Sequence, residues 1–319
     1  MQPTSIPPPP ATRHDALGPR AKPRTVALVL NNKAAGLLDA QSDSETLADL
    51  LRAAEFDIVP IPPGALPYRL ERARASGADL VAIAGGDGTI ACAAQVLLSG
   101  GAPLGIIPAG TMNLLAKDLG IPAGDPQAAV GILRDGVPRA IDTGDMNGHV
   151  FLCAAMFGAP ARIGHHREEG RRRGNGFAGW LYFVRASLRS IMRHRPLHLR
   201  ITLDDFTHTV QTSSLTVTVN AVTDATSQMF GRTSLDGGIL CVYIVRHRSI
   251  LDLLRLAFNM LRGRIATDRS ITLLQGKTVQ IDTKSAALRV LLDGEEHLLR
   301  TPLRGAIMPG ALSVIAPRR

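Results

Sequence analysis

The sequence predicts two folded regions: an N-terminal α/β domain built on a parallel sheet, and a C-terminal β-rich domain of antiparallel strands that form a sandwich. The chain has 319 residues, which is enough for two domains of ordinary size. Short apolar runs alternate with helical segments up to about residue 143, as in a doubly wound parallel sheet. Beyond that point most strands follow one another through turns, which favours an antiparallel sandwich or barrel.

The boundaries follow from changes in composition along the chain. Residues 1–23 include Pro7-Pro8-Pro9-Pro10 and scattered charges, which predicts a disordered Pro-rich tail. We place the α/β domain at 24–143 and the β-rich domain at 144–306.

Elements of the α/β domain are predicted from apolar periodicity and from the turn residues between them. Strands are predicted at 25–30, 56–61, 80–84 and 104–108. Helices are predicted at 44–55, 68–76, 90–98, from 114 to about 119, and at 126–134.

A hairpin of 139–145 and 149–155 is predicted across the boundary between the two domains, about the turn Asn147-Gly148, a dipeptide typical of two-residue hairpin loops. Further strands are predicted at 197–203, 214–220, 239–245, 271–274, 278–281 and 288–292. Two helices are expected among them, at 177–193 and at about 250–262.

The most informative segment is the glycine-rich turn Gly85-Gly86-Asp87-Gly88-Thr89, which joins the buried strand at 80–84 to the helix at 90–98. Backbone without Cβ atoms can approach a phosphate closely, and the N–H groups at a helix N-terminus favour anions. In open α/β sheets, ligands bind at the carboxyl ends of the strands, where this turn lies. The alternative is a tight turn that binds nothing.

The net charge indicates which kind of partner the protein binds, and the cysteine content indicates in which cellular compartment it is found. A net charge of +9 favours an acidic partner such as a nucleotide, a nucleic acid or an anionic membrane surface. The three cysteines, Cys92, Cys153 and Cys241, form no C-x-x-C pair, so we expect a reducing, cytoplasmic location without zinc or disulfides. Because no signal peptide and no run of about 18 apolar residues is present, we expect any membrane contact to be peripheral.

Three further motifs accompany the glycine-rich turn. Asn32-Lys33-Ala34-Ala35-Gly36 follows the first strand, and Gly110-Thr111-Met112-Asn113 follows the strand at 104–108. Leu292-Asp293-Gly294-Glu295 lies near the C-terminus. Loops that follow parallel strands meet at one edge of the sheet, so the first two motifs and the glycine-rich turn can converge on one crevice.

Together these motifs resemble the diacylglycerol-kinase catalytic-domain family, which includes soluble bacterial lipid kinases and the sphingosine and ceramide kinases. The resemblance implies a Rossmann-like, ATP-binding α/β domain like that of NAD kinase, a lipid-substrate β domain and a cleft between them. It also implies that residues 307–319 return to the α/β domain. ATP and Mg²⁺ are the implied cofactors.

The resemblance also assigns roles to individual residues. Glu295 matches a glutamate that is a candidate general base for the lipid hydroxyl, and Asp87 is placed to act through Mg²⁺ or to orient the hydroxyl. The implied nucleotide-binding residues are Asn32, Gly36, Gly85, Gly86, Gly88, Thr89, Gly110, Thr111 and Asn113.

Several positions depart from the family pattern. Lys33 replaces a proline, Ala91-Cys92 replaces an Asn-Glu pair, and Leu114 replaces an aspartate. The family segment D-D-G is Asp236-Gly237-Gly238 here, so Asp236 remains a candidate metal ligand while Gly237 brings no carboxylate.

The segment from Arg162 to Arg173 is strongly basic. It is expected either to face anionic membrane lipids or to be a solvated loop. Nucleic acid is not expected as a partner because aromatic residues for base stacking are not interleaved with the basic ones. The sequence leaves open whether the chain forms an oligomer.

The resemblance thus implies a lipid kinase of phospholipid metabolism whose expected acceptor is diacylglycerol, bound at a membrane surface. A sphingoid base or ceramide is the near alternative acceptor. A catalytically inactive lipid- or nucleotide-binding regulator is a second alternative, motivated by the departures at Ala91-Cys92, Leu114 and Gly237. NAD kinase shares G-G-D-G-T but would need a downstream Asn-Glu pair that we do not find in the β-rich domain.

Overall fold

The computed structural model describes residues 25–31, 40–98, 100–159, 161, 196–222, 231–245 and 271–318. Five predicted features therefore lie outside the described residues: the Pro-rich tail, the segment 32–36, the basic segment 162–173 and the two helices at 177–193 and 250–262. Within the described chain, no helix is both long enough and apolar enough to span a membrane.

The N-terminal region is a parallel sheet with helices between its strands. Its strands are β1 (Thr25–Leu30), β2 (Asp57–Val59), β3 (Leu80–Gly85) and β4 (Leu104–Pro108). Its helices are α1 (Ala40–Ala53), α2 (Leu66–Ala75), α3 (Asp87–Leu97), α4 (Leu114–Leu119) and α5 (Pro126–Asp135). The strands lie in the order β2-β1-β3-β4 and pair in parallel. Every residue of β3 and β4 is buried, as expected for a sheet that is covered on both faces.

The rest of the described chain is almost entirely strand. Its strands are β5 (Val137–Met146), β6 (His149–Phe151), β7 (Ala154–Gly158), β8 (Leu197–Leu203), β9 (Phe206–Thr212), β10 (Ser214–Val219), β11 (Leu240–Val245), β12 (Ile271–Gly276), β13 (Thr278–Asp282), β14 (Ala287–Leu292), β15 (Glu295–Arg300) and β16 (Leu303–Ala316). A six-stranded antiparallel sheet has the order β12-β11-β10-β7-β14-β15. Its apolar face packs in one core with β8, β9 and β13, which makes a sandwich and confirms the predicted fold class.

The long strand β16 connects the two regions. It pairs in parallel with β4 at Val314 and Leu104, and antiparallel with β5 and β13. The larger sheet therefore runs β2-β1-β3-β4-β16-β13-β8-β9, from the α/β region into the sandwich. The boundary predicted at 143 falls inside β5, so the two regions share one sheet and are not joined by a linker at that point. The division into domains stays a prediction.

Several predicted elements need adjustment. Helix α3 begins at Asp87 and not at residue 90, because the glycine-rich turn itself forms the first helical turn. The strands β9 and β15 were not predicted. The hairpin about Asn147-Gly148 is confirmed: both turn residues have positive φ, and β5 pairs with β6.

A buried carboxylate on β5 ties three segments together. Asp142 accepts hydrogen bonds from Asn220 Nδ2 (3.0 Å), from the Gly238 N–H (2.7 Å) and from the Gly310 N–H (2.8 Å). Gly310 lies where the register of β16 against β5 shifts. The charge of Asp142 is thus satisfied by donors that only the folded chain brings together, as a buried charge requires.

A buried ion pair joins the α/β region to the sandwich. Arg232 Nε lies 2.7 Å from Asp118 Oδ2, and the two side chains are 2% and 4% exposed. The Arg232 backbone N–H also donates to Asp118, and Arg232 Nη1 donates to the Leu152 carbonyl at 2.6 Å. Because Asp118 belongs to α4 and Leu152 precedes β7, this guanidinium holds α4 against the segment that leads into β7.

We expect Arg232→Met to lower the free energy of unfolding by about 3–5 kcal/mol, because it leaves the Asp118 carboxylate buried without its partner. The double variant Asp118→Leu with Arg232→Met removes both charges and should lose less stability than the sum of the single variants. Urea unfolding of the four proteins in this cycle measures the coupling.

The control is Arg74→Met, which removes a half-exposed partner of Glu71 on the surface of α2 and should change stability by less than about 1 kcal/mol. Strict additivity of the Asp118 and Arg232 losses would contradict the coupling.

Candidate active site

The glycine-rich turn lies between β3 and α3. Gly86 is the N-cap of α3 in an extended conformation, and Asp87 is the first helical residue. The Thr89 hydroxyl is buried and accepts a hydrogen bond from Asn31 Nδ2 at 2.7 Å. A Cβ atom at Gly85 would lie 2.7 Å from Thr89 Cβ, so glycine is needed for the turn to close. Asn31, which the sequence did not single out, thereby fixes the end of β1 to the start of α3.

The loops after β3 and β4 approach each other through two glycines. The Ala109 N–H donates to the Gly85 carbonyl at 3.0 Å, which aligns the ends of the two strands. A Cβ atom at Gly86 would lie 3.0 Å from Gly110 Cα, and one at Gly110 would overlap Gly86 Cα. Bare backbone from both loops therefore lines the carboxyl end of the sheet, as expected for a phosphate cradle.

The loop after β4 is shaped by Asn113, which has a left-handed backbone with φ of 48°. Its side chain accepts from the Gly110 N–H at 2.9 Å and donates to the Gly110 carbonyl at 2.7 Å. This buried amide closes the loop and leaves Thr111 exposed at its tip. The amide of Asn113 thus has a structural role, and its predicted contact with a nucleotide stays a prediction.

Asp87 bridges the two loops. Its Oδ1 atom accepts the Leu114 N–H at 2.6 Å, at the start of α4. Burial raises the pKa of Asp87 above its ordinary value, while the backbone N–H groups of α4, Leu114 first, oppose the shift. A half-buried carboxylate held beside a glycine cradle is suited to bind a divalent cation or to orient a hydroxyl.

The late motif forms the hairpin turn between β14 and β15. Asp293 and Gly294 both have positive φ, 47° and 93°, as a two-residue type I′ turn requires. The buried Asp293 carboxylate accepts the backbone N–H groups of Leu152 (2.5 Å), Cys153 (2.8 Å) and Ala154 (2.9 Å). Burial raises the pKa of Asp293, and these three donors oppose the shift. Asp293-Gly294-Glu295 was also compatible with an ordinary hairpin turn, and the structure confirms the turn; the hydrogen bonds of Asp293 to residues 152–154 were not predicted.

Glu295 follows this turn and reaches the glycine-rich turn from the opposite side. A Cβ atom built at Gly88 would overlap the Glu295 carboxylate. Residues that are far apart in the chain therefore meet, and the predicted base lies against the first turn of α3.

A cleft of about 270 Å³ opens beside Glu295 and Gly88. Its apolar wall is formed by Pro67, Leu70, Ala91, Val96, Val150 and Leu292. The Ala91-Cys92 pair, which replaces the Asn-Glu of the family pattern, lies on the α3 side of this wall. An apolar cleft with a carboxylate at its edge can hold a hydrophobic molecule whose polar end faces the glycine-rich turn.

Some of the predicted site residues meet at this edge of the sheet, and others lie elsewhere or outside the described residues. The described parts of the two glycine loops and Glu295 converge at this edge of the sheet, whereas Asn32 and Gly36 lie outside the described residues. Asp236 lies elsewhere, 3.6 Å from Arg139 and hydrogen-bonded to Ser234, and the Ser234 hydrogen bond is the main cause that lowers its pKa. Within the described residues no group of three or more His, Cys, Asp or Glu side chains could hold a metal, and the ligand role of Asp236 stays a prediction.

Residues 26–146 match the diacylglycerol kinase catalytic domain, and residues 154–316 match the YegS C-terminal NAD kinase beta sandwich-like domain. The chain is 32% identical over 269 residues to a diacylglycerol kinase of Mycobacterium tuberculosis, covering 79% of this chain and 81% of that one. It is 28% identical over 296 residues to a protein of Chromohalobacter salexigens named "Probable lipid kinase YegS-like", covering 91% and 92%.

The fold is also found in a solved structure. A crystal structure of a diacylglycerol kinase from Bacillus anthracis superposes with a TM-score of 0.65 at 20% identity, over 93% of this chain and 98% of the other. The two matched domains and the identity to the mycobacterial enzyme extend over most of the chain. The chain therefore belongs to the family of diacylglycerol kinases and YegS-like lipid kinases, and it is a kinase.

Proposed function

We propose that this kinase transfers the γ-phosphoryl group of ATP to the hydroxyl of a membrane lipid, with diacylglycerol as the acceptor. The observation that carries the proposal is the position of the Glu295 carboxylate, between the glycine-rich turn and an apolar cleft. A donor site for phosphates and an acceptor site for a hydrophobic alcohol would share this carboxylate at their boundary.

On the donor side, the proposal assigns phosphate binding to the backbone of the two glycine loops. The close approach of Gly86 and Gly110 leaves no room for a side chain where the loops meet, so N–H groups can face a phosphate directly. Mg²⁺ binds through one or two carboxylates together with substrate phosphates, and Asp87 is the carboxylate that fits this role. When bound, the ion would neutralise charge that develops on the phosphate oxygens.

On the acceptor side, Glu295 would accept the proton of the lipid hydroxyl as its oxygen attacks the γ-phosphorus. A bond forms between this oxygen and phosphorus, the bond from phosphorus to the β–γ bridging oxygen breaks, and ADP leaves. Glu295 is exposed at the cleft edge and can release the proton to water. Positioning and charge stabilisation provide most of the catalysis in such transfers, so one base beside a cradle is sufficient.

We further propose that the protein works at a membrane surface. Tyr68, which follows the cleft residue Pro67 at the start of α2, is 50% exposed. Exposed apolar side chains next to a lipid cleft favour contact with the bilayer interface. The basic segment 162–173 would add attraction to anionic lipids.

We expect Glu295→Gln and Asp87→Asn each to lower lipid phosphorylation at least about 100-fold, because each removes a carboxylate needed for proton transfer or charge stabilisation. Stability should be retained, since Glu295 is exposed and an asparagine keeps the oxygen that accepts the Leu114 N–H. The assay follows labelled phosphate from ATP into diacylglycerol, ceramide, sphingosine or NAD.

The matched control is Glu296→Gln, which changes the neighbouring carboxylate of β15. Glu296 pairs with Arg289 at 2.6 Å on the surface, away from the cleft lining, and the variant should keep full activity. If only ceramide or sphingosine is phosphorylated, the proposed acceptor is wrong and that lipid takes its place. If only NAD is phosphorylated, the protein is an NAD kinase and the proposed function is wrong. Nucleotide binding without any turnover would favour the inactive regulator. Full activity of both site variants would refute the assigned roles.

Gly88→Ala tests the contact between the glycine-rich turn and Glu295. Alanine is favourable within a helix, so stability should change little, but the added methyl must displace the Glu295 carboxylate. We expect kcat/KM for the lipid to fall roughly 10- to 100-fold, since a displacement of about 1 Å costs that much at a positioned group.

The control is Gly131→Ala in α5, where no atom lies within 4 Å of the added Cβ. This variant should be as stable as the natural protein or about 0.5–1 kcal/mol more stable, with unchanged kinetics. Equal kinetics for Gly88→Ala and Gly131→Ala would show that the contact with Gly88 does not position Glu295.

A further inference from the structure

Two histidines line the cleft, and the proposed phosphoryl transfer gives them no role. His149 begins β6 and His297 lies on β15, and their ring centroids are 4.9 Å apart with a 54° tilt. Both belong to the cleft lining together with Glu295. Because they come from separate strands, the pair forms only in the folded protein.

The position of His297 on β15 is unusual for a polar residue. Alternate residues of a strand share a face, so Glu295, His297 and Leu299 point to the same side. Leu299 lies in the sandwich core, and the residue opposite His297 on β14 is the buried Val290. An apolar side chain at 297 would continue this core to the cleft, yet an imidazole stands there.

The two rings have unused hydrogen-bonding capacity. Within the described residues, the ring of His297 contacts no other ring than that of His149. Neither imidazole has a hydrogen-bond partner among these residues. Burial, followed by the neighbouring His149, lowers the pKa of His297 although Glu295 acts in the opposite direction. His297 is therefore neutral at pH 7 and offers one N–H donor and one acceptor to the cleft.

We propose that His149 and His297 bind the ester carbonyl adjacent to the accepting hydroxyl of diacylglycerol, and so select ester-linked acceptors. This inference rests on the proposed function. Residues 295 and 297 lie about 6.5 Å apart along the strand, so a lipid with its hydroxyl at Glu295 brings the carbonyl of the next glycerol carbon beside the imidazoles. The rest of the wall is mostly apolar and suits the acyl chains.

Selectivity follows from the cost of leaving a polar group without a partner. A site that donates a hydrogen bond to a substrate discriminates against an analogue that lacks the acceptor. A dialkylglycerol has the same hydroxyl and chains as diacylglycerol but has ether linkages without carbonyl oxygens. It would leave the N–H donor of the partly buried His297 without this partner once the chains fill the cleft.

The experiment compares dioctanoylglycerol with dioctylglycerol in the full-length protein. We expect the natural protein to prefer the ester roughly tenfold in kcat/KM, corresponding to one hydrogen bond. His297→Phe and His149→Phe keep an aromatic ring without nitrogens, and each should lower kcat/KM for the ester several-fold and leave that for the ether unchanged. His297→Gln, which retains an N–H donor, should keep much of the preference.

The matched control is His198→Phe on β8, which lies outside the cleft lining and should preserve the preference. Because His149 is exposed, His149→Phe should keep the stability of the fold, and it therefore tests the proposal even if His297→Phe is unstable. An equal loss on both lipids, or an unchanged preference, would overturn the inference and leave the proposed function standing. Failure of the natural protein to phosphorylate either glycerol lipid, with turnover of ceramide or sphingosine, would overturn both.

Discussion

The arrangement of the site depends on one buried carboxylate. Asp293 accepts three consecutive backbone N–H groups from residues 152–154, where β6 leads into β7, while its own backbone forms a turn with positive φ. The carboxylate is removed from water, so these donors must stay in place for the charge to be tolerated. Because these hydrogen bonds fix the turn, they also fix the position of the Glu295 backbone two residues later. The exposed Glu295 at the cleft edge is therefore positioned by the buried Asp293.

The ion pair of Arg232 and Asp118 extends this constraint across the molecule. Arg232 donates to the Leu152 carbonyl, in the segment whose N–H groups bind Asp293, and pairs with Asp118 on α4. The N-terminus of the same helix donates to Asp87. The candidate carboxylates Asp87 and Glu295 are thus connected through α4, the ion pair and residues 152–154. Their relative position is set by buried polar contacts and not by the surface loops alone.

Local pattern predicted much of this fold. Apolar runs between turn residues located β1, β3 and β4, and glycines without room for a Cβ marked the loops that meet at the sheet edge. The polar strands β9 and β15 were missed because their exposed faces lack an apolar pattern. The partners of Asp293 and Arg232 lie more than 70 residues away in sequence, so no local signal identifies them. The approach of Glu295 to Gly88 was expected from the family resemblance, and the sequence spacing alone did not indicate it.

The replacement of the family's Asn-Glu pair by Ala91-Cys92 changes the electrostatics of the cleft. Position 92 lines the same cleft as Glu295. A glutamate there would place a second negative charge beside Glu295, and neighbouring carboxylates disfavour each other's ionisation. Burial and then Glu295 raise the pKa of Cys92, so the thiol is uncharged at neutral pH. Glu295 is then the one carboxylate among the described lining residues, so the proposed base has no second carboxylate beside it in a largely apolar cleft.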